Sequence, residues 1–171
     1  MIPIQLKISG FLSYRDPVEI DFTSFDLACI AGLNGAGKSS LLDAITWVLF
    51  GQARKRDESL INNHPEVKAA EVTLVFIYES NLYRVQRTMP RGKTTILEFH
   101  IAGDGFSPSE EKNIPLSSIQ WKPLTERMMR ETQAKIENTL HLDYETFVNA
   151  SFFLQGKADQ FTQQKSSDRK R

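Results

Sequence analysis

Hydrophobic and polar residues alternate along much of the chain, a period of two that is typical of half-buried β-strands. The alternation is present over residues 4–8 and again over 18–22. Three later runs, at 70–78, 82–87 and 94–101, are rich in β-branched and aromatic residues and are separated by short polar turns. The pattern therefore predicts two strands near the start and, later, an antiparallel meander of three strands.

Two kinds of departure from this alternation predict helices and a loop. Residues 41–50 are apolar on nearly every side and too many for a typical strand, so we expect a helix buried between layers that ends near Gly51. A helical pattern starts again at Pro123, and Asp143 is expected to cap a further helix. The irregular segment 103–115 is expected to be a mobile loop.

Between the second strand and the first helix lies the sequence GLNGAGKS, residues 32–39. It matches the phosphate-binding pattern G-x-x-x-x-G-K-[ST], and the apolar residues 27–30 before it predict a buried strand. Glycines let backbone N–H groups converge on phosphate oxygens, and the helix that follows points its positive end at the same anion. Lys38 is expected to reach the β- and γ-phosphates of ATP, and the Ser39 hydroxyl to ligate Mg²⁺. The nucleotide contacts predicted in this loop are Asn34, Gly35, Ala36, Gly37, Lys38, Ser39 and Ser40.

Composition restricts the class of protein but does not indicate a function. The 171 residues, 40% hydrophobic and 25% charged, suffice for a real core, and the formal net charge of zero gives no reason to expect DNA binding. There is neither an apolar run long enough to span a membrane nor a signal-peptide pattern at the start, which favours a cytoplasmic protein. The single cysteine, Cys29, is expected to be a buried structural thiol, and Trp47, Met128 and Met129 to pack in the core.

Part of the usual ATPase machinery is not found in the sequence. A P-loop ATPase normally has a second apolar strand that ends in an acidic Mg²⁺ ligand. The nearest run, 74–79, ends in Glu79 within the predicted meander, and no Leu-Ser-Gly-Gly-like string is present. Either the chain binds nucleotide without efficient hydrolysis, or another polypeptide segment supplies the rest. A self-contained P-loop kinase or GTPase would need an acidic Mg²⁺ ligand and a base-reading motif. An interaction module that uses nucleotide only for stability stays open.

Three stretches resemble one family. Residues 6–16, LKISGFLSYRD, resemble the first strand of SMC-like ATPases, and residues 32–45 resemble their phosphate loop. Residues 144–161, YETFVNASFFLQGKADQF, are similar to the Q-loop segment of SbcC, a double-strand-break repair ATPase that works with an SbcD-type nuclease. The tail, 165–171, is similar to the entry into that family's long coiled coil. The resemblance covers nearly the whole chain, as the N-terminal half of a split ABC-type head.

The resemblance implies an α/β fold, with a mixed sheet around a buried P-loop helix, an antiparallel β meander and a C-terminal helical segment. Residues 1–171 would form one N-terminal lobe. Gln155 would ligate Mg²⁺ and sense the γ-phosphate, so that Lys38 and Gln155 are the implied catalytic residues. Ser13 is a further candidate nucleotide contact, whereas Leu12 occupies a position where archaeal relatives often carry arginine.

The same resemblance implies partners. A C-terminal lobe after the coiled coil would supply the catalytic acidic pair and the signature motif, and two heads would sandwich two ATP molecules. An SbcD-type nuclease and double-stranded DNA would be further partners. The isolated chain is therefore expected to be nearly inactive. An alternative is another SMC-like chromosome-maintenance ATPase head, with the same nucleotide chemistry.

Charged residues and histidines carry less information. Basic groups with acidic neighbours are more typical of a solvated surface than of a DNA-binding patch, so the DNA expectation rests on the resemblance. These groups are Arg54-Lys55-Arg56, Arg84 with Arg87, Arg91 with Lys93, and Arg127 with Arg130. The histidines, His64, His100 and His141, lack metal-ligand spacing and are expected to be structural or on the surface.

Overall fold

The computed structural model describes residues 1–25, 27–55, 57–103 and 116–151. The chain divides into two compact units, Met1–Leu140 and His141–Arg171. In the first unit the strands form one six-stranded sheet in the order β2-β1-β3-β4-β5-β6. The strands are β1 (Ile2–Ser9), β2 (Val18–Asp21), β3 (Ala69–Tyr78), β4 (Asn81–Pro90), β5 (Ile96–Ala102) and β6 (Trp121–Pro123), and the helices are α1 (Lys38–Phe50), α2 (Met129–Leu140) and, in the second unit, α3 (Tyr144–Ser151).

The register of the sheet produces its core face. Leu6, Leu74, Val85 and Phe99 lie side by side across β1, β3, β4 and β5, and each is 0% exposed. Arg87, two positions along from Val85 and so on the same face, donates to a carbonyl of α1. The phosphate-loop helix therefore covers this face. The two early strands and the meander predicted from alternation are confirmed.

The helix α1 is buried, as its apolar composition predicts. Trp47 is 1% exposed and its ring lies 5.1 Å from that of Phe11, which follows β1. Gly51 ends the helix in the left-handed conformation, with φ 70°, and its N–H donates to the Trp47 carbonyl. This is the C-terminal cap expected at that glycine.

The predicted buried strand at 27–30 is wrong. These residues are irregular and exposed, with Leu27 92% exposed and Ile30 51% exposed. Cys29 is exposed as well, so the expectation of a buried thiol is also wrong. A strand needs a neighbour to receive its backbone hydrogen bonds, and no strand of the described residues pairs with this segment. All five strand pairings are antiparallel, so within the described residues the sheet is not the mixed one expected.

The second helix starts later than its pattern indicates. Residues 121–123 pair with β5 as strand β6, and the Leu124 N–H donates to the Phe99 carbonyl, so α2 begins only at Met129. Met128 and Met129, expected in the core, are 49% and 45% exposed because α2 turns Thr132, Ile136 and Leu140 inward instead.

In the second unit, Asp143 caps α3 as predicted. Its carboxylate accepts a hydrogen bond from the Thr146 backbone N–H at 2.8 Å, and this bond lowers the pKa of Asp143. Most of the predicted loop, residues 104–115, lies outside the described residues, as does the segment from 152 onward. Among the helices that are described, none is long and apolar enough to cross a membrane.

Candidate nucleotide-binding site

The phosphate loop ends in a glycine that opens the helix. Gly37 is the N-cap of α1 with φ 90°, a left-handed conformation, and it provides no side-chain cap. The first hydrogen bond inside the helix runs from Leu41 N–H to the Gly37 carbonyl at 3.1 Å. The amides of Lys38, Ser39 and Ser40 therefore precede the helical ladder, at the positive end of the helix dipole. This arrangement suits an anion such as a phosphate group.

Close neighbours, as well as its left-handed backbone, favour glycine at position 37. A Cβ atom there would lie 3.2 Å from the Ser13 Cβ and 3.5 Å from the Tyr14 ring. The Tyr14 hydroxyl donates to the Gly37 carbonyl at 3.3 Å, and the hydroxyls of Ser13 and Ser40 share a hydrogen bond of 3.2 Å. The turn after β1 thus packs directly against the phosphate loop. Ser13 and Ser40, both predicted nucleotide contacts, lie together at this junction.

The lysine of the motif folds back over its own loop. Lys38 Nζ donates to the carbonyls of Gly32 and Leu33, at 2.7 and 2.9 Å. The tip of the loop, residues 34–36, is exposed, and a turn hydrogen bond joins Ala36 N–H to the Leu33 carbonyl at 3.2 Å. Ser39 lies in the first turn of α1. A cation is thereby held beside the backbone amides that would receive phosphate.

A residue that the sequence analysis missed holds the turn after β1 in place. Asn62 donates through its side chain to the Leu12 carbonyl at 2.6 Å, and its backbone N–H donates to the Gly10 carbonyl at 2.8 Å. Leu12 has φ 47°, a conformation that non-glycine residues rarely adopt. These contacts fix the strained turn that carries Ser13 and Tyr14. Asn62 sits in an undistinguished polar segment, so nothing in the sequence identified it.

A second missed residue lies on α1 itself. The Asp43 carboxylate is buried and accepts from Arg54 twice through the guanidinium, at 2.7 and 2.8 Å, and once through the backbone N–H, at 3.2 Å. This pair ties the segment after the helix back to the helix. The sequence did contain an indication of this pair. An aspartate within a mostly apolar helix is expected to be buried, and a buried charge requires a partner.

The other predicted residues of the site are only partly within the described residues. Gln155 lies outside the described residues, so its proposed place beside Mg²⁺ stays a prediction. Within the part of the chain that the structure describes, no three histidine, cysteine or acidic side chains form a group that could hold a metal ion. The two arginines of β4 lie on opposite faces of the sheet. Arg87 is 4% exposed and Arg84 stacks on the Trp121 ring at 4.7 Å, so they form no common basic surface.

Comparison with known proteins adds a family. The sequence model of the AAA domain family matches residues 5–171. The chain is 29% identical over 161 residues to the SbcC component of the SbcCD nuclease of Deinococcus radiodurans, covering 92% of this chain. It is 29% identical over 177 residues to a probable DNA double-strand break repair Rad50 ATPase of Aquifex aeolicus, covering all of it. These matches confirm the predicted resemblance to SbcC-type ATPases. The chain spans 16% of the length of each of these two relatives.

One solved structure, an SMC head domain from Thermotoga maritima, is 30% identical to this chain. The alignment covers 58% of this chain and 37% of that chain, with a TM-score of 0.48.

Proposed function

Because this chain belongs to the AAA domain family, we propose that it is the ATP-binding N-terminal half of a split ATPase head that acts in DNA double-strand-break repair. The single observation that carries the proposal is the loop before α1. A left-handed Gly37 without a side-chain cap, followed by Lys38 and Ser39 in the first turn, presents backbone amides, a cation and a hydroxyl together. Phosphate groups with bound Mg²⁺ need this combination of donors.

Each predicted residue then has a proposed role. The backbone amides along 34–40 bind the phosphates, and Lys38 leaves the Gly32 and Leu33 carbonyls to bind the β- and γ-phosphates. Ser39 would hold Mg²⁺, which when bound neutralises charge on the phosphate oxygens. Ser13 and Ser40, joined by their hydroxyls, border the same site. Gln155 is proposed as a second Mg²⁺ ligand.

The exposed segment 27–33 supports completion by a second lobe. Leu27, Ile30 and Leu33 are 92%, 51% and 85% exposed, directly before the phosphate loop. A contiguous apolar patch that faces water is typical of an interaction surface. We propose that a C-terminal lobe covers it and supplies the catalytic carboxylate, which the described residues near the loop do not provide.

The wider partners follow from the names of the relatives. One is part of a nuclease and the other is a double-strand-break repair ATPase. We therefore propose that the completed head pairs with a second head when ATP binds, and that it regulates an SbcD-type nuclease on double-stranded DNA.

The test is ATP turnover and Mg²⁺-ATP binding by this chain alone, with Lys38→Ala as the matched blank. We expect binding that Lys38→Ala weakens about ten- to hundredfold, since a hydrogen bond to a charged group contributes about 1.5–3 kcal/mol. We expect turnover no faster than that of the variant until the C-terminal half is added. Rapid turnover by the isolated chain that depends on Lys38 would contradict the split head. Absence of nucleotide binding would contradict the proposed function as a whole.

A further inference from the structure

The end of α1 remote from the phosphate loop is held by a buried arginine. Arg87, on β4, is 4% exposed, and burial lowers its pKa to about 10, so it remains charged at neutral pH. Its Nε donates to the Val48 carbonyl at 3.3 Å, and its guanidinium lies 5.9 Å from the Trp47 ring. A cation at the carboxyl end of a helix is favoured by the helix dipole. Gly51 makes room for it, because a Cβ there would lie 3.1 Å from Arg87 Nη1.

A single glutamine joins this arginine to α2. Gln133 accepts from Arg87 Nη2 at 2.6 Å through its side-chain oxygen. Through its side-chain nitrogen it donates to the Leu49 carbonyl of α1 at 3.0 Å and to Glu137 of its own helix at 2.9 Å. These hydrogen bonds between α1, Arg87 and α2, called the joint below, need an acceptor and a donor on one side chain. Glutamate lacks the donor and leucine lacks both.

The two ends of α1 therefore meet different parts of the fold. The helix contains 13 residues and is about 20 Å long, at about 1.5 Å per residue. Its start carries Lys38 and the free amides of the phosphate loop, and its last turn carries the carbonyls bound by Arg87 and Gln133. An α-helix moves nearly as a rigid body, so a ligand that fixes its start also fixes the carbonyls at its end. Apolar contacts tolerate small displacements, whereas hydrogen bonds of 2.6–3.0 Å depend on distance and angle.

We propose that Gln133, together with Arg87, is a positioning residue through which phosphate binding at the start of α1 is transmitted to α2. The inference rests on the proposed nucleotide site and adds the element that responds to it. Nucleotide binding stabilises α1, which strengthens the hydrogen bonds from its last turn to Gln133 and so slows local opening of α2. By thermodynamic linkage, loosening this joint weakens nucleotide binding by the same factor.

The experiment measures hydrogen–deuterium exchange of residues 129–140 with and without Mg²⁺-ATP, together with nucleotide affinity by calorimetry. In the wild-type chain, ATP should slow exchange in α2 about fivefold or more, the scale of typical coupling between sites. In Gln133→Leu this ATP-dependent slowing should disappear, and affinity should fall by about the same factor. Gln133→Glu keeps the contact with Arg87 but loses the donor to Leu49, and it should behave like Gln133→Leu, which guards against a folding defect in one variant.

Lys135→Ala is the matched control on the same helix, because it removes an ion pair with Glu126 and leaves the hydrogen bonds of Gln133 to Arg87 and Leu49 in place. It should keep both the affinity and the ATP-dependent slowing of the wild type. A purely structural role for Gln133 would speed exchange equally with and without ATP, and that result would overturn the inference. Wild-type binding without any effect on α2 would overturn it too, while leaving the nucleotide site intact. A wild-type chain that binds no nucleotide would overturn the nucleotide site and the inference together.

Discussion

Single polar residues in this protein are buried where they fix the phosphate-loop helix. Asp43 is the acidic example. Its carboxylate is almost fully buried, whereas Arg54, which binds it, keeps about half of its side chain exposed. This carboxylate accepts hydrogen bonds from a cation and from a backbone amide. Because the carboxylate is buried, water weakens its attraction to Arg54 less than it would at the surface.

Asp43→Ala should therefore lower the free energy of unfolding by about 1–2 kcal/mol, because it removes charge-assisted hydrogen bonds while Arg54 returns to water. The measurement is urea denaturation followed by circular dichroism. Lys7→Ala is the control, since it breaks an ion pair with Glu19 whose two side chains are both about half exposed, and should cost roughly 0.5 kcal/mol or less. Equal losses in the two variants would show that burial of Asp43 adds nothing.

His100 gives a pH-dependent prediction. It lies on the sheet face opposite α1, and its neighbour across the strands is Arg84. Its Nδ1 is buried and has no hydrogen-bond partner among the residues that the structure describes. Burial chiefly, and the charge of Arg84 secondarily, lower the pKa of His100, while Glu98 partly opposes this shift. A histidine whose pKa is lower in the folded state binds its proton more readily when unfolded. Its contribution to stability is complete above the ordinary histidine pKa and is lost as the pH falls through the folded value.

The melting temperature should therefore fall as the pH is lowered below about 6.5, the ordinary histidine pKa, and His100→Gln should make this fall shallower. Arg84→Gln should also make it shallower, because it removes a charge that disfavours the imidazolium. Melting curves between neutral and mildly acidic pH test both. If the melting temperature of His100→Gln falls with decreasing pH as steeply as that of the wild type, His100 is not the group responsible.

At the scale of elements, backbone strain is found in a hairpin turn. The turn between β3 and β4 has two residues, Glu79 and Ser80, with φ of 47° and 63°. A two-residue hairpin turn with both central φ values positive favours Asn-Gly, and neither glutamate nor serine is suited to it. The packing of β3 and β4 in the centre of the sheet offsets the strain of this turn. The position of the turn could be predicted from the sequence, whereas its positive φ values are visible only in the structure.

Replacing Glu79-Ser80 by Asn-Gly should raise the free energy of unfolding by about 1 kcal/mol, since it relieves the left-handed strain. The matched opposite change is Gly92→Ala in the next hairpin. Gly92 has φ 69°, and no atom of the described residues lies within 4 Å of a Cβ added there. Alanine should therefore cost about 1 kcal/mol, from backbone strain. Urea denaturation compares the two. If both changes have the same sign, backbone conformation does not control these hairpins.

At the scale of the whole molecule, the exposed apolar segment before the phosphate loop has consequences for assembly. Leu27 and Ile30 contribute little to the isolated chain, because both already face water. Their replacement by aspartate should change the free energy of unfolding by less than about 0.5 kcal/mol. The same double variant should weaken association with a C-terminal half at least tenfold, because that surface is proposed to cover them.

Ile96→Asp is the control for this prediction, since Ile96 is 53% exposed on β5 and away from the phosphate loop. It should leave association unchanged. Binding of the two halves can be followed by calorimetry or by sedimentation. A double variant that associates as tightly as the wild type would show that the segment is not part of the interface between the halves.

The sequence by itself determined the phosphate loop, the buried helix with its terminal glycine, the cap at Asp143 and the strands of the meander. These features depend on local chemistry, since alternation, glycine conformation and side-chain caps act within a few residues along the chain. Tertiary structure alone decided the rest. It exposed residues 27–30, which a strand pattern assigns to the interior, because no strand of the described sheet lies beside them. It also brought Arg87 and Gln133 to the last turn of the phosphate-loop helix, and Asn62 to the turn after β1. Such contacts join residues far apart in the chain, and a polar side chain shows its partner only when the fold removes it from water.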